Sequence, residues 1–178
     1  MITKPQPGEY GPLPANYIRL IGDEDVLTVL EQQRDTCYNL FHQMTEEQAE
    51  YRYAEGKWSI KEMLGHMIDT ERIFAFRALC FSREQQELPG FDQDIYMFYS
   101  TYNSRSMQSV AEEFKTLRDA NLFLFRSINQ QQEVRTGIAS GYEISVRAMV
   151  YATAGHERHH LNIFKERYEP GLFIPFVT

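Results

Sequence analysis

Ala154-Gly155-His156-Glu157-Arg158-His159-His160-Leu161 carries two histidines, His156 and His160, one helical turn apart. At that spacing two imidazoles lie side by side on one helix face, as two neighbouring ligands of one divalent metal would. Ser145 is placed to cap this helix, which runs to near Tyr168, before Pro170-Gly171. On a wheel of about 100° per residue with His156 at zero, Val146, Met149, Ala152, Ile163 and Phe164 set an apolar face centred near about 60°. His160 falls at about 40°, inside that face, and His159 at about −60°, on its edge. Both members of the pair therefore point inward. They read either as two hydrogen-bonded core histidines or as two ligands in need of a third.

Working outward, three more amphipathic stretches precede this one. Asp23 or Asp25 can cap a helix whose stripe of Val26, Leu30, Cys37, Leu40, Phe41 and Met44 runs to about residue 44. Ser59-Ile60-Lys61-Glu62 is a capping box, with Trp58 before it, and opens a helix to about Ser82. Another runs from about Ser106 to Asn129 on Val110, Phe114, Leu117, Leu122 and Phe125. Four long helices with almost no strand signal predict an all-α four-helix bundle, one domain over 1–178. Its long connections leave room for a crossover. Residues 1–22, with Pro5, Pro7, Pro12 and Pro14, read as an extended arm, and residues 131–144 as a loop. The apolar tail, 169–178, is expected to pack on the domain or on a partner chain, which suggests a homodimer.

Of the other histidines, His66 lies beside the stripe Met63, Met67, Phe74 and Phe81, and is the candidate third ligand. His42 is expected at the surface, and His159 at the surface or supporting a ligand. Three histidines with an open position match a catalytic zinc site rather than a closed structural one, and imidazole also suits nickel, iron or copper. Three charges fall on apolar faces: Glu71, Arg118 and Glu157. Buried charges are rarely unpaired, so an Arg118–carboxylate pair that fixes helix register is expected. The functional alternative makes Glu157 or Glu71 a proton carrier or the support of a histidine. Asp69 is a further candidate support. Asp92 and Asp94 read as turn chemistry, with carboxylates at a site mouth as the alternative, and Tyr96, Phe98, Tyr99 and Tyr102 as core, with a pocket lining as the alternative.

The chain has 178 residues and a net charge of −7. That charge disfavours phosphate backbones, so no nucleic-acid partner is expected. Cys37 and Cys80 show no metal or redox spacing and read as buried free thiols, consistent with a reducing compartment. With no signal-peptide pattern and no membrane-length apolar run, a cytoplasmic location and no membrane partner are expected. Nucleophile elbows, phosphate loops and dinucleotide fingerprints are all lacking.

Trp58-Ser59-Ile60-Lys61-Glu62-Met63-Leu64-Gly65-His66-Met67-Ile68-Asp69, Pro89-Gly90-Phe91-Asp92-Gln93-Asp94 and Gly155-His156-Glu157-Arg158-His159-His160 together resemble the DinB/YfiT-like superfamily, over about residues 17–168. The resemblance implies a four-helix bundle, often dimeric, with a metal held by His66, His156 and His160 and completed by water. It implies either metal-dependent hydrolysis or transfer of a low-molecular-weight thiol such as bacillithiol or mycothiol, and leaves the reaction open. The first expectation is a thiol transferase acting on a small electrophile, with zinc or nickel as cofactor and a cation near the site to bind the thiol's carboxylates. A metal-dependent hydrolase is the alternative. A third is a non-catalytic stress protein whose metal only stabilises the bundle.

Overall fold

The structure is a computed structural model that describes residues 2–84 and 87–172. In chain order it contains α1 (Pro12–Ile18), α2 (Val26–His42), α3 (Glu46–Glu50), α4 (Ile60–Arg83), β1 (Glu87–Leu88), α5 (Gln93–Phe98), α6 (Met107–Arg126), α7 (Gln130–Glu133), β2 (Thr136–Ala139), β3 (Tyr142–Ser145) and α8 (Val146–Ile163). A π-helical turn, Phe164–Tyr168, extends α8. The four long helices start where local chemistry places them. Asp25 accepts from Thr28 N, Ser59 and Glu62 close a capping box, and Ser106 and Ser145 cap α6 and α8. Each cap satisfies an amide that the first helical turn leaves open.

These helices form the expected bundle, in the order α2–α6–α4–α8 around its axis. Helices consecutive in sequence, α2 and α4 or α6 and α8, therefore sit diagonally. The core divides in two. One part gathers Leu30, Phe81, Phe125 and Val150 near the N-terminal segment. The other gathers Phe41, Leu64, Phe114 and Phe164.

Several expectations are corrected. The arm is not extended throughout: α1 packs on α8, because Pro12 and Pro14 fall in its first turn, where a missing N–H costs nothing. Nor is 131–144 a plain loop. It holds α7 and the β2–β3 hairpin, to which β1 adds a parallel strand. The hairpin turns on Ser140 and Gly141, both at positive φ (54° and 81°), which matches the right-handed twist of the flanking strands. Of the aromatic set only Tyr102 is core, while Tyr96, Phe98 and Tyr99 are exposed because the short α5 buries Met97 alone. Cys37 is buried, but Cys80 is only half-buried. Residues 173–178 of the apolar tail lie outside the described residues. No described helix is long and apolar enough to cross a membrane.

Candidate metal centre

Helices α4 and α8 pack side by side, and each turns histidine toward the other. His66 comes from α4, and His156 and His160 from successive turns of α8. A glycine precedes His66 and another precedes His156, and both are places of close approach. A Cβ on Gly65 would lie 2.3 Å from the Tyr102 ring, and one on Gly155 would lie 2.1 Å from the Tyr17 carbonyl oxygen. Tyr17 is thereby drawn over the site, its ring edge-on to His156 at 5.2 Å. Trp58 covers His66 from the other side, with ring centroids 4.7 Å apart.

His156 Nε2 lies 3.1 Å from His66 Nε2 and 3.1 Å from His160 Nε2. All three side chains are buried, and their ligand nitrogens lie within 4.8 Å of one another. Burial holds His66 down at about 4, and holds His156 and His160 well below the usual imidazole value, so all three are neutral at pH 7. A neutral imidazole nitrogen carries either one proton or one lone pair. His156 Nε2 therefore cannot make two good hydrogen bonds to both neighbours at once. Three lone pairs facing a single cation have no such conflict. A tetrahedral zinc site with arms of 2.0–2.1 Å sets its ligand nitrogens about 3.3–3.4 Å apart, close to the spacing here. The donor set thus fits a divalent cation. Among the described residues it is the one such group of three histidine, cysteine or acidic side chains.

Two cavities meet at these histidines. The larger, about 800 Å³, is lined by His66 and His156 together with Phe74, Arg77, Ile144 and Met149. The smaller, about 540 Å³, is lined by His160 and His159 with Lys57, Tyr53 and Tyr168. Tyr17 and Gln93 border both.

The remaining candidates fall elsewhere. Glu157 Oε2 accepts from Arg118 at 2.6 Å, its Oε1 has no hydrogen-bond partner among the described residues, and the Cys37 thiol neighbours the carboxylate. No hydrogen bond joins it to a histidine among the described residues. Arg118 also donates to both oxygens of Glu71 at 2.8 Å and to the Leu30 carbonyl at 3.0 Å. Asn121 donates to Glu71 as well. One arginine therefore ties all four long helices together, the register-fixing role the sequence predicts. Burial raises the Glu157 carboxyl. Asp69 accepts from the Tyr102 hydroxyl at 2.8 Å and reaches no histidine. His42 is partly exposed beside Tyr38, and half-buried His159 packs on Tyr17 and His160. Asp92 caps α5, as turn chemistry predicts. Tyr17, Arg77 and Thr70, whose Oγ1 lies 3.5 Å from His66 Nδ1, are what sequence reasoning missed. The signal for Tyr17 was Gly155, an otherwise costly helical glycine that marks a close approach.

A family model for the DinB superfamily matches residues 29–164. The chain belongs to the DinB superfamily. A protein of Oceanobacillus iheyensis named "putative metal-dependent hydrolase" is 26% identical over 123 residues, covering 66% of this chain and 69% of that one. Among solved structures, YfiT from Bacillus subtilis superposes with a TM-score of 0.74 at 16% identity, over 95% of this chain and 93% of its own. YfiT is described as a probable metal-dependent hydrolase with an unusual four-helix bundle topology. The DinB-like YjoA from the same organism gives 0.58 at 20% identity, over 86% and 96%. At these identities the structural likeness is one of fold. The diagonal placement of consecutive helices is the bundle's departure from simple up-down order.

Proposed function

We propose that this DinB-superfamily protein holds one divalent cation, zinc or nickel, on His66, His156 and His160, and that it transfers a low-molecular-weight thiol to a small electrophile. The observation that carries this is the meeting of two cavities at one histidine cluster. A transferase has two substrates to bring to a single point, whereas a hydrolase needs one substrate and water. A cation bound there supplies a Lewis acid that lowers the pKa of a thiol. The smaller, more polar cavity with Lys57 suits the thiol, and the larger apolar one the electrophile. The sulfur forms a bond to the electrophilic carbon, the leaving group departs with its electron pair, and the thiol proton passes to solvent. Tyr17 and Trp58 cover the cluster and limit water. The test is metal-dependent conjugation of monochlorobimane with bacillithiol, mycothiol, glutathione and coenzyme A in turn. Turnover lost in His160→Ala supports the reading; no metal-dependent turnover with any thiol overturns it.

Metal-dependent hydrolysis is the second reading, supported by the names carried by the Oceanobacillus relative and by YfiT. Against it stands that, among the described residues, Glu157 is committed to Arg118 and Asp69 to Tyr102, and the acids that line the two cavities, Asp92 and Asp94, make no hydrogen bond to a histidine. A screen of esters, amides and phosphoesters decides it, with His160→Ala as the control that any metal-dependent hydrolysis must fail.

A further inference from the structure

Arg77 is a second buried arginine, and it is treated unlike Arg118. Only 5% of its surface is exposed, yet no carboxylate among the described residues lies within ion-pair distance. Its Nη2 donates to the Pro89 carbonyl at 2.8 Å and to Ser140 Oγ at 3.3 Å. Nε and Nη1 have no hydrogen-bond acceptor among the described residues, the guanidinium lies 5.9 Å from the Phe91 ring centroid, and Arg77 and Phe91 both line the larger cavity. Burial without a counter-charge pulls this guanidinium below its ordinary value, opposite to Arg118. Asp92, the acidic residue on the same cavity, accepts at Oδ1 from the amides of Asp94 and Ile95 in α5. A desolvated cation costs several kcal/mol unless an anion meets it. Here no carboxylate among the described residues stands within ion-pair distance.

We infer that the large cavity takes a small amphipathic carboxylate, held by Arg77 at one end, with its apolar body on Phe74, Ile144 and Met149 and its other end directed to His66 and His156. This names the substrate class of the proposed electrophile site and rests on that assignment for its reactive end, though not for Arg77's own role. Arginine suits the task because its planar fork pairs with a carboxylate in a fixed orientation. Anchoring at a distance from the reacting atoms then fixes which end of the molecule meets the histidines.

The test compares 1-naphthylacetate with 1-naphthylacetamide, equal in shape and different in charge, by calorimetry on the chelator-treated full chain, so that no metal can hold the carboxylate. The wild type is expected to bind the acetate about tenfold more tightly or better. Arg77→Met should bring the two within about twofold, and so should Arg77→Gln, which keeps a donor for Pro89 and loses the charge. Circular dichroism checks that each variant folds, and either one suffices. Equal binding by the wild type overturns the inference, as does a preference that survives Arg77→Gln. The metal assignment fails separately: it falls if the purified wild type retains no divalent metal by elemental analysis, and the acetate–amide comparison is unaffected.

Discussion

Two buried polar clusters sit one above the other on the same pair of helices. Helix α4 offers His66 to one and Glu71 to the other, and α8 offers His156 and Glu157, consecutive residues, to each in turn. The Arg118 cluster is complementary within itself: one guanidinium meets two carboxylates and a carbonyl from the other three long helices. Three like bases, all neutral and all presenting nitrogen to one point, make up the histidine cluster. The first is nearly finished by the protein, with Glu157 Oε1 its one oxygen left without a hydrogen bond. The second is finished only by something brought from outside. Burial alone therefore does not tell a structural polar group from a functional one; complementarity does.

Breaking the finished cluster should have the largest effect. Arg118→Met leaves Glu71 and Glu157 buried without a counter-charge, and is expected to cost about 3–5 kcal/mol in urea unfolding. A cost under about 1 kcal/mol would mean the arginine is not what joins the helices. Metal addition sharpens the contrast from the other side. At about 100 times Kd, zinc or nickel should stabilise the wild type by about 2.7 kcal/mol. His156→Ala should lose that response entirely, while any Arg118→Met protein that folds should keep it. Thermal melts with and without chelator read both.

Gly155→Ala should come next, at about 1–3 kcal/mol, because its Cβ has no room beside the Tyr17 carbonyl. Faster amide exchange across residues 11–21 would localise the damage to α1. The smallest effect is at the edge of the same arm. Glu9 is bound by Arg147, through a short hydrogen bond and a second at 2.7 Å, and that arginine draws its carboxyl below the usual 4.5. A depressed carboxyl contributes stability above pH 4.5 that fades as pH falls through its lower folded value. Glu9→Gln should therefore cost about 0.5–1 kcal/mol at pH 7 and almost nothing near pH 3. A difference that does not shrink with acid would sink the pairing.

What the sequence made legible was local. The Ser59–Glu62 box, the Ser145 cap and the helical stripes are set by residues within a few positions of one another, so the four long helices and the inward pair His156–His160 could be read directly. The pairing of Arg118 with Glu71 and Glu157 was legible too, because three buried charges of opposite sign have few other solutions. The β2–β3 hairpin was harder: its strands are four residues each, and the turn depends on Ser140 adopting a conformation that serine rarely takes. Tyr96, Phe98 and Tyr99 misled because composition speaks for burial, whereas a six-residue helix has only one face to bury. Arg77 gave no local sign. Its neighbours Pro89 and Ser140 lie 12 and 63 residues away, and only the folded chain shows that no acid comes with them.

The contact of the Tyr17 carbonyl with Gly155 also sets a clock. Residue 17 leaves the ribosome 138 positions ahead of residue 155, an interval on the order of ten seconds at ordinary translation speeds. Until α8 emerges, Ile18 and Ile21 have no α8 to cover them, and Tyr17 has no histidine pair beneath it. A newborn chain thus passes through a stage in which Ile18 and Ile21 lack the cover that α8 gives them, and the histidine cluster waits on that helix.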